Sequence, residues 1–370
     1  MDLHLQTMES FLTTYHQLAS QTIRGRYQHY DTIATTLSAF SPFVLGKSVK
    51  NHPIQGVTLG NGPIKILMWS QMHGNESTST KGLLDVMCYL QQFPTLLTSF
   101  TLKIIPLLNP DGAIAYTRVN ANLVDLNRDA LDQSQPESKI LIETYKRFNP
   151  DYCFNLHDQR TIFGVNGHPC MLSFLAPAAD ETKSITPART KAMGLIGYIN
   201  QKLQAHIPNQ VGRYDDSYNP NCMGDYFMAQ GTPTVLFECG QVGADYAREE
   251  TRKWFGFSLL NALVCIAENH FAATAYDTIP EVEKSYVDVL LHNATFGEET
   301  ADIALQYLEK VQAGKLEFIP MVHSIGVLRH LRGHKTIDLS SSDIVRAHEI
   351  AVGEDVSWLA DLLNLTQYSY

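Results

Sequence analysis

Two histidines and two glutamates stand where apolar runs end. Ile64–Ser70 is followed by Met72-His73-Gly74-Asn75-Glu76, the run 151–156 by His157-Asp158, and the run 234–237 by Glu238-Cys239-Gly240. A catalytic zinc typically takes three protein ligands and keeps one position open for water or substrate. A His-x-x-Glu pair plus a distant histidine supplies such a set in His73, Glu76 and His157, and Glu238 adds a carboxylate nearby. Each residue also has a plainer reading. The His73–Glu76 segment can be a polar turn leading into a helix, His157 a satisfied histidine, and Glu238 half of an ion pair. Their joint occurrence at successive strand ends favours the metal reading. Asn109-Pro110-Asp111-Gly112 reads as a structural turn.

These residues need a frame that brings strand ends together. Four short, near-continuously apolar runs (Ile64–Ser70, 102–108, 151–156 and 234–237) suit strands buried on both faces. Helical stretches at Thr78–Gln92, 139–147, Pro187–Leu203 and 246–268 fall between or after them. The alternation predicts an α/β fold, with a mixed, mostly parallel central sheet sandwiched by helices. Ligands of such sheets bind at the carboxyl ends of the strands, where the candidates lie. Met8, Phe11, Leu12, Tyr15 and Leu18 have helical spacing and predict a lead-in helix over 8–19, and 48–59 reads as strand-like. After Phe271 the pattern changes to short elements: strand-like 287–291, an amphipathic helix over 300–313, then 318–322 and 337–339. Three parts follow: 1–49 as a lead-in, 50–270 as the site-bearing domain, and 271–370 as a small C-terminal α+β appendage. His323, His330 and His334 are irregularly spaced and read as solvated. The appendage is expected to cover the domain or form a homo-oligomer contact, and to lend no group to the chemistry.

Composition narrows the partners. The chain has 370 residues, 44% hydrophobic and 18% charged, with 28 Lys plus Arg against 38 Asp plus Glu and a net charge of −10. That balance speaks against nucleic acid or an anionic membrane, both of which need a basic surface. No apolar run reaches the roughly 18 residues of a membrane span. The start, Met1 to Gln6, lacks the basic and apolar regions of a secretory signal. Six scattered cysteines form no C-x-x-C pair and read as buried, reduced thiols, so the expected location is cytoplasmic.

Five segments taken together resemble the zinc carboxypeptidase (metallocarboxypeptidase) family: HGNE at 73–76, NPDG at 109–112, TRVNANLVDLNRD at 117–129, NLHD at 155–158 and FECG at 237–240. The resemblance covers roughly 50–270. It implies one zinc per chain held by His73, Glu76 and His157, with Glu238 as general base. It implies that Arg118 polarises the scissile carbonyl and that Asn127 and Arg128 grip the substrate's terminal carboxylate. Asp125 would hold the ring N–H of His73. A tyrosine covering the substrate would be Tyr214, or failing that Tyr218.

These roles fit the chemistry of the residues. An arginine fork matches a carboxylate, a fixed cation steadies an oxyanion, and a carboxylate behind a ligating histidine fixes its tautomer. Other readings stand beside them. Arg128 can pair with Asp129 or Asp125, and Asp158 and Arg160 can be catalytic accessories or equally form a local hydrogen-bond network. The chain departs from the family pattern at Asn75, where digestive members carry Arg. It departs again at Asp129-Ala130, an extra carboxylate that points to a zwitterionic or unusual substrate. The implied function is a zinc-dependent metallocarboxypeptidase acting on a small peptide. The alternatives are an N-acyl amino acid deacylase of the aspartoacylase/succinylglutamate desuccinylase type, acting on an acyl amino acid, and a catalytically inactive ligand-binding homologue.

Overall fold

The computed structural model describes residues 3–21, 23–296, 299–340 and 350–362. Its strands are β1 (Phe43–Lys47), β2 (Pro53–Leu59), β3 (Ile64–Ser70), β4 (Phe100–Ile105), β5 (Tyr152–Asp158), β6 (Phe163–Val165), β7 (His168–Pro169), β8 (Leu172–Leu175), β9 (Val211–Arg213), β10 (Thr234–Cys239), β11 (Glu283–Lys284), β12 (Tyr286–Phe296), β13 (Glu299–Gln312), β14 (Lys315–Gly326) and β15 (Arg332–Asp338). Its helices are α1 (Leu3–Gln21), α2 (Tyr30–Ser38), α3 (Thr78–Gln92), α4 (Pro110–Ala115), α5 (Pro136–Phe148), α6 (Pro187–Leu203), α7 (Met223–Ala229), α8 (Glu249–Glu268) and α9 (Ser357–Leu362).

Eight strands form the central sheet in the order β1-β2-β4-β3-β5-β10-β8-β9. Strands β4, β3, β5 and β10 run parallel, and the flanking strands make the sheet mixed. The expected α/β class and its helix-flanked mixed sheet are therefore observed. Every residue of β5 is buried, as a strand covered on both faces requires. One face packs on α1, α3, α6 and α8 through residues such as Phe11, Leu83, Phe154, Ile196 and Phe255. The other packs on α5 and α7 through Trp69, Leu141, Cys153 and Phe227. Because β3, β5 and β10 are parallel neighbours, their carboxyl ends open on one edge.

Helix α3 joins this edge to the far side of the sheet. It begins where Asp158, at the end of β5, accepts hydrogen bonds from Thr78 N (2.7 Å) and Ser79 N (2.9 Å). A carboxylate at a helix N-terminus satisfies orphan donors and complements the dipole. The local hydrogen-bond role that the sequence left open for Asp158 is thus the one found. Asn109 caps α4 through Gly112 N, with Pro110 in the first turn, so NPDG starts a short helix as well as turning the chain.

A buried ion pair ties α3 to α8. Arg252 meets Asp85 through Nε at 2.6 Å and Nη2 at 2.7 Å, and both side chains are 0% exposed. Arg252 also donates to Glu249 Oε2 and to Ile23 O, each at 2.8 Å, so losing Asp85 removes only part of its compensation and costs about 1–3 kcal/mol. Asp85→Ala is expected to lower the unfolding free energy by that order. Urea titration followed by tryptophan fluorescence measures it, and a change under about 1 kcal/mol would contradict this role.

The C-terminal part differs from expectation. Its described residues hold a four-stranded sheet, β14-β13-β12-β15, and the helix α9, and 300–312 lies in strand β13 in place of the expected helix. Ile303, Tyr307 and Val311 fit a helical spacing, which misled the sequence reading. Ile303, Leu305 and Tyr307 alternate equally well, and they turn to one apolar cluster with Val289, Leu291 and Val322. Strand β13 pairs with β12 on one side and β14 on the other. Pairing along both edges overrides the helix preference of Ala, Gln, Glu and Lys. His334 also departs from a solvated reading. Its Nε2 lies 2.8 Å from Thr161 O, and burial lowers its pKa to about 4. Among the described residues no helix is long and apolar enough to cross a membrane.

Candidate active site

Strand pairing sets the first two groups. Glu238 on β10 is in register with His157 on β5, so both side chains leave the same sheet edge on the same face. His73 and Glu76 come from the loop after β3. That loop presses on α4 so closely that a Cβ on Gly74 would lie 1.9 Å from the Gly112 carbonyl carbon, and only glycine fits.

The three candidate ligands converge. His73 Nδ1 is 2.8 Å from Glu76 Oε1, His157 Nδ1 is 2.8 Å from Glu76 Oε2, and the two Nδ1 atoms are 3.2 Å apart. His73, Glu76 and His157 are 1%, 9% and 2% exposed. One ligand atom from each lies within 4.8 Å of the other two. His73 Nε2 is 3.0 Å from Asp125 Oδ1. With its proton on Nε2, as that acceptor favours, the neutral ring would turn a lone pair on Nδ1 towards the Glu76 carboxylate and the other imidazole. Lone pairs and a carboxylate facing one another in a buried space fit a divalent cation. Two nitrogens and one carboxylate fit zinc.

Charges agree with this geometry. Burial works against the Glu76 carboxylate, yet His73 and His157 beside it hold its pKa well below the usual range. Burial lowers His157, whereas in His73 the neighbouring Glu76 and Asp125 outweigh burial and raise it. Glu238 behaves oppositely to Glu76. Burial first, then the Glu76 and Asp158 charges, raise it well above the ordinary carboxylate range. Its Oε2 is buried with no hydrogen-bond partner among the described residues. Two carboxylates with opposite shifts at one site mark a division between holding charge and moving protons.

The remaining candidates divide by position. Arg118 reaches Asp125 Oδ2 through Nε (3.0 Å) and Glu76 Oε1 through Nη1 (3.4 Å), so it borders the ligand cluster. Tyr214 lies beside the acidic groups. Burial, then Glu238 and Glu76, raise its hydroxyl pKa, and its ring meets Phe163 at 5.2 Å. Tyr218 instead feels Asp225, Asp180 and Glu181. Asn127 accepts from Met223 N at 3.0 Å, which fixes its amide next to α7. Arg128 is exposed, and its Nη1 donates to Asn127 O (2.6 Å) and Cys222 Sγ (2.9 Å).

Asp129 corrects the sequence reading of an extra carboxylate at the anion grip. It is 2% exposed and accepts from Ser134 N, Ser134 Oγ and Gln135 N at 2.6–3.0 Å, so it fastens the chain entering α5. The sequence offered no local sign of Arg248, which is buried with Nη1 on Cys239 O at 2.8 Å and 4.0 Å from Asp158.

Residues 27–162 match the family described as zinc carboxypeptidase. Carboxypeptidase 2 of Trichophyton tonsurans is 27% identical over 100 residues, which cover 25% of this chain and 19% of that protein's length. The fold is similar to that of a metallo-carboxypeptidase from Burkholderia cenocepacia, with a TM-score of 0.51 and 19% identity over 64% of this chain and 68% of the other. A metallo-carboxypeptidase from Pseudomonas aeruginosa superposes equally, with a TM-score of 0.51 and 19% identity over the same shares. The segment that carries His73, Glu76, Arg118, Asp125 and His157 thus matches the zinc carboxypeptidase family, and the fold is similar to that of metallo-carboxypeptidases.

Proposed function

We propose that this protein is a zinc-dependent carboxypeptidase that hydrolyses the C-terminal peptide bond of a small peptide. The observation that carries the reading is the convergence of His73 Nδ1, His157 Nδ1 and the Glu76 carboxylate in one buried space. Zinc held there supplies Lewis acidity and brings the pKa of water towards about 7. Glu238, with a free oxygen and a raised pKa, takes the proton of the attacking water and passes it to the leaving amine nitrogen. Arg118 lies beside Glu76 and donates to the carbonyl oxygen as negative charge grows on it. Asp125 keeps the His73 proton on Nε2. Tyr214 screens the reacting groups from water, and Asn127 with Arg128 orients the terminal carboxylate.

Elemental analysis of protein purified without added metal is expected to find about one zinc per chain, the stoichiometry of one three-ligand site. Protein without zinc that also takes up none on titration would sink the reading.

A further inference from the structure

The C-terminal sheet meets the site-bearing domain through a carboxylate. Glu309 on β13 holds Arg26 with two bonds, Nη1 to Oε1 at 2.7 Å and Nη2 to Oε2 at 2.9 Å. Its Oε2 also accepts from Tyr116 Oη at 2.8 Å. The Arg26 and Glu309 side chains are 4% and 22% exposed. Apolar packing is already present here, with Tyr116, Tyr246, Leu316 and Phe318 in one cluster. A buried ion pair is weak evidence of added stability, because desolvation offsets its attraction. What a bidentate pair adds is direction.

Both partners of Glu309 lead to the site. Tyr116 ends α4 in the left-handed region, at φ 54° and ψ 48°, which a bulky side chain adopts only when its surroundings hold it there. Two residues on is Arg118, with its bonds to Asp125 and Glu76. Arg26 lies on a strap laid along the ligand loop. Its carbonyl accepts from Ser77 Oγ at 2.6 Å, next to Glu76. The Gln28 carbonyl accepts from Gln71 Nε2 at 2.7 Å, two residues before His73.

We propose that Glu309 is a positioning residue of the candidate active site. Its carboxylate sets Arg118 through Tyr116, and sets the His73–Glu76 loop through the strap that carries Arg26 and Gln28. The inference rests on the hydrolase reading above for what is positioned. It makes the C-terminal sheet an outer brace of the catalytic groups. Other bonds brace the same edge: Tyr246 Oη donates to Asp288 at 2.8 Å, and Gln306 Nε2 to Thr161 Oγ1 at 2.5 Å.

Amide hydrogen exchange on the full chain, without metal, reads the positions directly, and peptide hydrolysis reads their effect. Tyr116→Phe removes one oxygen and leaves the ring packing, so the variant should fold. It should speed exchange about tenfold in 112–120 and leave 71–78 unchanged, whereas Glu309→Ala should speed both segments. In hydrolysis, Tyr116→Phe should lower kcat on the order of tenfold with KM nearly constant, since misplacement far from the chemistry acts through geometry. In an Arg118→Ala background the same change should cost no further kcat, because the two residues act in series. Unchanged exchange at 112–120 in Tyr116→Phe would overturn the proposal. So would a full, independent loss of kcat in the Arg118→Ala background. If the unaltered protein hydrolyses no peptide, the failure belongs to the hydrolase reading, and the exchange pattern still decides whether Glu309 positions these loops.

Discussion

Glu238→Gln is expected to lower kcat by roughly 10²–10⁴-fold and to leave the zinc content unchanged, whereas His157→Ala is expected to lose most of the metal. The two residues sit opposite one another in register on neighbouring strands, so proximity alone does not separate their roles. Their contacts do. His157 Nδ1 points at Glu76 and His73, inside the ligand cluster. Glu238 keeps an oxygen free of any hydrogen bond among the described residues and has a raised pKa, as a proton carrier needs. Glutamine preserves the shape and removes the basic oxygen. Zinc quantified by mass spectrometry beside steady-state kinetics tests both halves at once. If Glu238→Gln stripped the metal, Glu238 would be a ligand and the division of roles would be wrong.

Amidating the C-terminus of a peptide substrate is expected to slow its cleavage by about 10²-fold, because hydrogen bonds to a charged group are each worth about 1.5–3 kcal/mol. The two carboxylates nearest in sequence are engaged elsewhere. Asp125 serves His73 and Arg118, and Asp129 serves Ser134 and Gln135. Arg128 has no ion pair within 4.0 Å among the described residues, and its recorded partners are a backbone carbonyl and a thiol. The plainer sequence reading, in which Arg128 pairs with Asp125 or Asp129, is therefore not what the structure shows. An exposed guanidinium with no ion pair among the described residues, beside the ligand-bearing segment, suits an incoming carboxylate. Arg128→Lys should cost at least tenfold in kcat/KM, since a point charge does not reproduce the fork. The same assay separates peptidase from deacylase. Free-acid peptides of increasing length should be cleaved at least as well as N-acetyl or N-succinyl amino acids. Hydrolysis confined to the short acyl compounds would hand the site to the deacylase reading.

The local sequence determined where the candidate ligands emerge, because that information is short-range. Each follows an apolar run long enough for a buried strand, and the bounds of β3, α3 and α6 coincide with those read from the pattern. The parallel order that brings β3, β5 and β10 to one edge follows from the alternation of strands and helices. Tertiary structure decided the rest. Strand β13 carries both a helical and an alternating pattern, and its two pairing partners chose between them. Asp129 became a fastening for α5, and Arg128 came to lie on Asn127 O and Cys222 Sγ, through contacts that residue spacing does not encode. The link from Glu309 to Tyr116 spans 193 residues, and that to Arg26 spans 283. No local periodicity records which distant donors a carboxylate meets, because that is fixed when the C-terminal sheet packs on the loops beneath it.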